Sequence, residues 1–183
     1  MSFCALYEEE KLRTLFFKSL TDIDISILKN LGIDCVLLDI DNTIKPYGAE
    51  KVEAVYAVWI DEARAAGINV ILCSNNYRRN VEPIARQLGC DFVAFCLKPS
   101  PLGYFRAYMK SKTKIRRILI IGDQFFTDIL GGKFMFIKTF LVNPISEESE
   151  GSTVKIRRML TKPFTERIKN RENIYCKGSK KEK

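Results

Sequence analysis

The sequence predicts an α/β fold, a three-layer doubly wound parallel sheet with no cap domain, and three observations carry that expectation. Short apolar runs at 35–40, 68–73, 91–95, 118–121 and 134–142 have the length of strands buried on both faces. Segments with helical apolar spacing lie between them, as in successive βαβ units. The runs also end in polar residues able to do chemistry: Asp39 and Asp41, Ser74, Lys98, and Asp123 with Asp128. Open α/β sheets bind ligands beyond the carboxyl ends of their strands, so these residues are expected to meet in one crevice.

Taken in order, residues 11–20 carry Leu12, Leu15, Phe16 and Leu20 at helical spacing and predict a helix packed on the core. Thr21 or Asp22 is the candidate cap of a second short helix ending at Gly32. After the 35–40 strand, Val52, Val55, Trp59, Ala63 and Ala66 predict a helix over 50–66, with Gly67 as its stop. Val81, Ile84, Ala85 and Leu88 mark the next helix, and Leu102, Phe105 and Met109 another. Pro99 and Pro101 break regular structure and fix the loop that carries Lys98. Residues 1–33 are thus expected as a helical segment beside the core and 34–145 as the core itself. Residues 146–183 read as a polar linker, a basic amphipathic helix interrupted at Pro163, and a disordered end.

Composition narrows the chemistry. The chain has 183 residues, 46% of them hydrophobic and 28% charged, as in an ordinary globular protein. It has no histidine, which excludes Ser-His-Asp and Cys-His catalysis and His-based zinc sites. Its six cysteines lack CxxC spacing, and Cys35 and Cys73 fall in apolar runs as core thiols. No apolar run is long enough to span a bilayer, and Glu8, Glu9 and Glu10 stand where a signal peptide would be apolar, so a cytoplasmic location is expected. The net charge of +8 belongs to the tail: residues 155–183 hold 11 basic and 3 acidic residues, and the rest holds 19 of each.

The period of a strand puts Asp39 and Asp41 on one side, and two carboxylates so close call for a cation. Oxygen-only surroundings suit Mg²⁺, which pairs with one or two carboxylates and a phosphate. Read singly, Asp39-Ile40-Asp41 is a turn, Thr43 a loop cap, Ser74 a turn hydroxyl, Lys98 a surface lysine and Asp123 a helix cap. Read jointly and in this order, the four sites resemble the haloacid dehalogenase (HAD) superfamily of phosphohydrolases over roughly residues 34–143. The stretches DIDNT, CSNN, LKPSP and GDQFFTD resemble more narrowly the YqeG-like branch of subfamily IIIA, related to mitochondrial phosphatidylglycerophosphate phosphatases.

The resemblance implies a Rossmann-type core and a Mg²⁺-dependent phosphatase. It makes Asp39 the nucleophile and Asp41 the general acid/base. Asp39, Asp41 through its carbonyl, and Asp123 would hold Mg²⁺, with Asp128 supporting the metal through water or lysine. Ser74 and Lys98 would bind the phosphoryl group, helped by the region of Asn42, Thr43 and Asn75.

Only 35 positions separate Asp39 from Ser74 and 24 separate Ser74 from Lys98, too few for a sizeable cap. An uncapped crevice admits phosphates on large bodies, and the basic tail suits either an anionic membrane surface or a solvated charged helix without a partner. The expected substrate, the phospholipid head group of phosphatidylglycerophosphate, is what the resemblance implies. A nucleic-acid end, a phosphoprotein or a small phosphate ester are the alternatives within the class, and no motif for sequence-specific nucleic-acid binding occurs. A signalling receiver domain also gathers Asp, Ser/Thr and Lys around Mg²⁺, but a second aspartate two residues after the first favours turnover over a stored phosphoryl group. A scaffold without activity would have no use for the full acidic set.

Overall fold

The computed structural model describes residues 14–146 and 150–179, with side chains to residue 170. Six strands form one all-parallel sheet: β1 (Thr14–Phe17), β2 (Cys35–Leu38), β3 (Asn69–Cys73), β4 (Asp91–Val93), β5 (Ile118–Gly122) and β6 (Lys138–Val142), in the spatial order β1-β6-β5-β2-β3-β4. The helices are α1 (Ile25–Asn30), α2 (Ala54–Ala65), α3 (Arg78–Leu88), α4 (Pro101–Ser111), α5 (Leu130–Phe134) and α6 (Ser152–Ser179).

Strand alternation sorts the core into two layers. Val36, Leu38, Val70, Leu72, Leu119, Ile121 and Phe140 pack with Leu28 of α1, Trp59 and Ile60 of α2, and Val81 and Ile84 of α3. Cys35, Leu37, Ile71, Cys73, Ile118 and Ile120 pack with Tyr104 and Ala107 of α4 on the opposite face. Both faces of the sheet are covered, which is why its strands read as unbroken apolar runs. Only α2 and loops lie between β2 and β3, and only α3 between β3 and β4, so no cap domain is present there. No helix among the described residues is long and apolar enough to cross a membrane.

Several elements differ from expectation. Residues 14–17 are an edge strand rather than part of a helix over 11–20; residues 11–13, with Leu12, lie outside the described residues. The β-prone run Thr14-Leu15-Phe16-Phe17 pairs with β6, and the Thr14 and Thr139 hydroxyls meet at 2.8 Å. Asp24, not Thr21 or Asp22, caps α1, accepting from the Ser26 amide at 2.7 Å, while Ser19 and Asp22 form a capping box for the 3-10 turn Leu20–Asp22. The last strand begins at Lys138, because Phe134 closes α5. Helix α6 runs through Pro163 without a break; this proline lies on the exposed side, where water can serve the carbonyl that loses its partner. Lys177 to Ser179 are helical, against the expected disorder, and residues 180–183 lie outside the described residues.

Candidate active site

The order of the strands makes the site. From β2 the chain proceeds to β3 and β4 on one side and returns through β5 on the other, so the sheet reverses its winding beside β2. Asp39 follows β2, Ser74 follows β3, Lys98 follows β4 and Asp123 follows β5, and these four side chains with Asp41 and Asp128 are buried at that edge. The expected convergence is therefore present.

Lys98 is the hub. Its ammonium donates to Asp39 Oδ1, to Asp128 Oδ1 at 2.7 Å and to the Cys73 carbonyl at 3.0 Å. Asn75 holds the loop that delivers it: its Oδ1 accepts from the Lys98 amide at 2.7 Å and its Nδ2 donates to the Lys98 carbonyl at 3.1 Å. The Asn75 side chain is thus occupied in positioning Lys98. Burial works against the Lys98 ammonium, but Asp128 and Asp39 outweigh it and hold its pKa well above that of an ordinary lysine.

Asp128 is saturated by protein donors. Besides Lys98, its Oδ1 accepts from Tyr104 Oη at 3.1 Å, and its Oδ2 accepts from the Gln124 amide at 3.2 Å and Thr127 Oγ1 at 3.0 Å. A lysine-supporting part fits this geometry better than direct metal ligation. The π-helical turn Phe125–Ile129 brings Asp128 back against β5, where Gly122 leaves the room: a Cβ there would stand 2.4 Å from Asp128 Cγ.

Asp39 and Asp41 have different partners. Regular strand ends at Leu38, and Asn42, at φ +65°, turns the chain so that its amide donates to the Lys45 carbonyl at 2.7 Å. The Asp41 carboxylate consequently has its own partners, Lys45 Nζ at 2.7 Å and Ser74 Oγ at 3.4 Å. Thr43 Oγ1 lies instead between Asp39 Oδ2, at 3.0 Å, and Asp123 Oδ1, at 3.3 Å.

Two residues of the segment expected to be a linker and tail enter the site. Glu150 is buried and accepts from Asn42 Nδ2 at 2.7 Å and from Arg158 Nε at 2.7 and 2.9 Å. Arg158 of α6 also pairs with Asp123 Oδ2 and donates to the Asp123 carbonyl at 3.0 Å. Residues 147–149 lie outside the described residues, but Glu150 is a buried anchor and not part of a solvated linker. Burial raises the Arg158 cost of being charged, yet Glu150 and Asp123 more than offset it and its pKa rises.

The residues fit a divalent cation. Asp39, Asp41, Asp123, Asp128 and Glu150 face Lys45, Lys98 and Arg158, leaving two more negative than positive groups among the described residues of the site. Ligand oxygens of Asp39, Asp123 and Asp128 lie within 4.8 Å of one another. Among the described residues, Asp39 Oδ2 and Asp123 Oδ1 meet a shared hydroxyl and no other donor, so their side suits a hard cation with oxygen ligands. The electrostatics agree. Burial lifts the Asp39 pKa from 3.8 to about 7 despite Lys98, with Asp128 and Asp41 adding to the rise. Burial, then Asp39, drive Asp123 upward against Arg158. Tyr47 at the rim is pushed up to about 12 by burial and by the Asp39, Asp41 and Asp123 carboxylates.

A pH dependence follows for the metal-free protein. Asp39 binds its proton more tightly when folded, so its contribution to stability is full below pH 3.8 and is lost as pH rises through about 7. Mg²⁺, which competes with that proton, should therefore raise the melting temperature more at about pH 8 than at about pH 5. Thermal unfolding with and without Mg²⁺ at the two pH values checks this; an equal rise at both would place the metal elsewhere.

Comparison with known proteins agrees with this geometry. A family model of haloacid dehalogenase-like hydrolases matches residues 52–135. The "Probable phosphatase YqeG" of Bacillus subtilis (strain 168) is 28% identical over 159 residues, spanning 87% of this chain and 92% of its own. Two solved structures share the fold at TM-score 0.51: a hypothetical protein from Xanthomonas campestris, 14% identical over 73% of this chain and 80% of that one, and the 3-deoxy-D-manno-octulosonate 8-phosphate phosphatase of Yersinia pestis, 13% identical over 71% and 75%. Six parallel strands in this order, the buried acidic crevice around Lys98 and these matches point the same way: the chain is similar to the haloacid dehalogenase-like hydrolases over residues 52–135 and to a probable phosphatase over most of its length.

Proposed function

We propose that the protein is a Mg²⁺-dependent phosphomonoesterase that works through an aspartyl-phosphate on Asp39 and acts on phosphatidylglycerophosphate at a membrane surface. The observation that carries the chemistry is the separation of the two aspartates onto two lysines: Asp39 on Lys98, Asp41 on Lys45. Two neighbouring carboxylates in different surroundings can take different parts.

In this reading the Asp39 carboxylate attacks phosphorus, and the P–O bond to the leaving alcohol breaks as the new one forms. Asp41, at the end of the loop and hydrogen-bonded to Ser74, gives its proton to the leaving oxygen and later takes one from the water that attacks the aspartyl-phosphate. Lys98 holds Asp39 in line and offers positive charge to the phosphoryl oxygens, with Ser74 and the amides near Asn42 and Asn75 beside it. Thr43 keeps Asp39 and Asp123 at a fixed separation. Mg²⁺, held by Asp39, Asp123 and the Asp41 carbonyl, would neutralise charge on the phosphoryl group during transfer.

The lipid substrate is supported by the open crevice, by the basic helix beside it and by the likeness to the YqeG-like branch. The test is Mg²⁺-dependent phosphate release from phosphatidylglycerophosphate in mixed micelles, beside a soluble phosphate ester. Release from the lipid is expected in the wild type and absent in Asp39→Asn. Release from the soluble ester alone would keep the phosphatase and discard the lipid.

A further inference from the structure

Helix α6 turns most of its large apolar side chains outward. An amphipathic helix ordinarily buries its apolar stripe against the core and shows water its polar face. Here the partly buried side carries Arg157, Arg158, Thr161, Thr165 and Lys169, with Val154 and Ile168 as its apolar residues. They hold the helix by polar hooks: Arg158 to Asp123 and Glu150, Lys169 Nζ to Asn143 Oδ1 at 2.7 Å and over the Phe16 ring at 5.0 Å, and Arg157 over the Phe126 ring at 5.8 Å. A cavity of about 580 Å³ separates this side from Phe125, Val142 and Pro144 of the core.

The opposite side carries Ile156, Met159, Leu160, Pro163 and Phe164, at i, i+3, i+4, i+7 and i+8, one stripe of a helix. Ile156, Met159, Leu160 and Phe164 are 55, 69, 67 and 54% exposed, although Phe164 also stacks on Phe125 at 5.3 Å. Lys155, Lys162 and Arg167 flank the stripe and are exposed. A contiguous apolar face rimmed by charge marks an interaction surface.

We infer, resting on the proposed lipid substrate for the choice of surface, that the outward stripe of α6 docks on an anionic lipid bilayer and that Arg158 ties the docked helix to the catalytic crevice. Charge complementarity selects this occupant. A second copy would bring two strongly basic helices together, since residues 155–183 carry 11 basic against 3 acidic side chains. A nucleic acid would pair with the lysines but leave the four apolar side chains in water. An anionic bilayer takes both: apolar side chains enter the boundary of headgroup and chain while lysine and arginine meet the headgroups. Arg158 donates to Asp123 from the same helix, so docking would set the height and tilt of the crevice above the surface.

Flotation of the full chain with vesicles, without metal or substrate, tests the surface. The wild type should float with equimolar phosphatidylcholine and phosphatidylglycerol and stay in solution with phosphatidylcholine alone. Met159→Ser with Leu160→Ser should weaken partition at least about tenfold while leaving hydrolysis of a soluble ester, p-nitrophenyl phosphate, unchanged. Lys155→Glu with Lys162→Glu should weaken it as well, most at low salt. A wild type that stays in solution with both vesicles, a serine variant that floats as well as the wild type, or a wild-type dimer that the serine substitutions make monomeric would each overturn the proposal. Flotation needs no turnover, so its failure leaves the phosphatase reading standing, and failure to hydrolyse the lipid leaves flotation to be judged by itself.

Discussion

Replacing Asp39 by Asn should lower turnover by on the order of 10⁴-fold or more while leaving the fold intact. The amide keeps the shape of the carboxylate but cannot attack phosphorus. Asn at this position should fold well because the site already tolerates a neutral group there: the Asp39 pKa is lifted to about 7 by burial, so the metal-free protein carries the protonated form over much of the acid range. Without metal the variant should therefore match the wild type below pH 3.8, gain on it as pH rises from there to about 7 and keep that advantage above, and its thermal response to Mg²⁺ should shrink. Asp41→Asn should behave differently. A lost general acid costs about 10²–10⁴-fold, less for a substrate whose leaving group needs no proton, so the ratio of loss between an alkyl phosphate and a nitrophenyl phosphate separates the two aspartates. Equal losses on both esters for both variants would contradict the division of labour.

Lys98→Ala should damage both stability and rate. Lys98 is the cation between Asp39 and Asp128, and its side chain is only 2% exposed. Removing one member of a buried ion pair leaves uncompensated charge, at a cost of about 3–5 kcal/mol. The loss should be smaller in acid, where Asp39 takes up a proton, and partly relieved by Mg²⁺. Adding Asp128→Asn to Lys98→Ala should recover much of the stability, since the charge left over by the first change is removed by the second. Activity should not return, because the positive charge facing the phosphoryl group is still missing. Chemical denaturation of the two single variants and the double variant measures the coupling; additive losses would mean that Lys98 and Asp128 do not act as a pair.

Much of this arrangement is legible in the sequence because parallel strands bury both faces. The central strands β2, β3 and β5 show as apolar runs, and the polar residue after each run is where the fold places its chemistry. Asp39, Ser74 and Asp123 are of this kind, while Lys98 is carried by the loop after β4. The edge is harder to read: Leu15 and Phe16 suit one turn of helix as well as a strand, and only the partner β6 decides it. The pairing of Asp41 with Lys45 does not follow from the strand pattern, because regular strand stops at Leu38 and the loop decides it. Lys45, four residues after Asp41, offered a local cue. Glu150 and Arg158 offered none: a glutamate among polar residues and an arginine among ten other basic residues are marked out only by the loop and helix that bring them to Asn42 and Asp123.

The orientation of α6 shows the same limit. Its apolar and basic residues alternate at helical spacing, so the sequence reveals an amphipathic helix but not which side meets the core. Arg158 decides that, because a guanidinium paired with two buried carboxylates fixes the rotation of the helix about its axis.

The most direct test of the central claim is chemical trapping of the intermediate. Enzyme quenched during turnover and reduced with borohydride converts an acyl-phosphate on aspartate to homoserine, which peptide mass spectrometry locates. Homoserine at position 39, dependent on substrate and absent from Asp39→Asn, is the predicted result. Homoserine at Asp41, Asp123 or Asp128, or none while phosphate is still released in a burst, would contradict it.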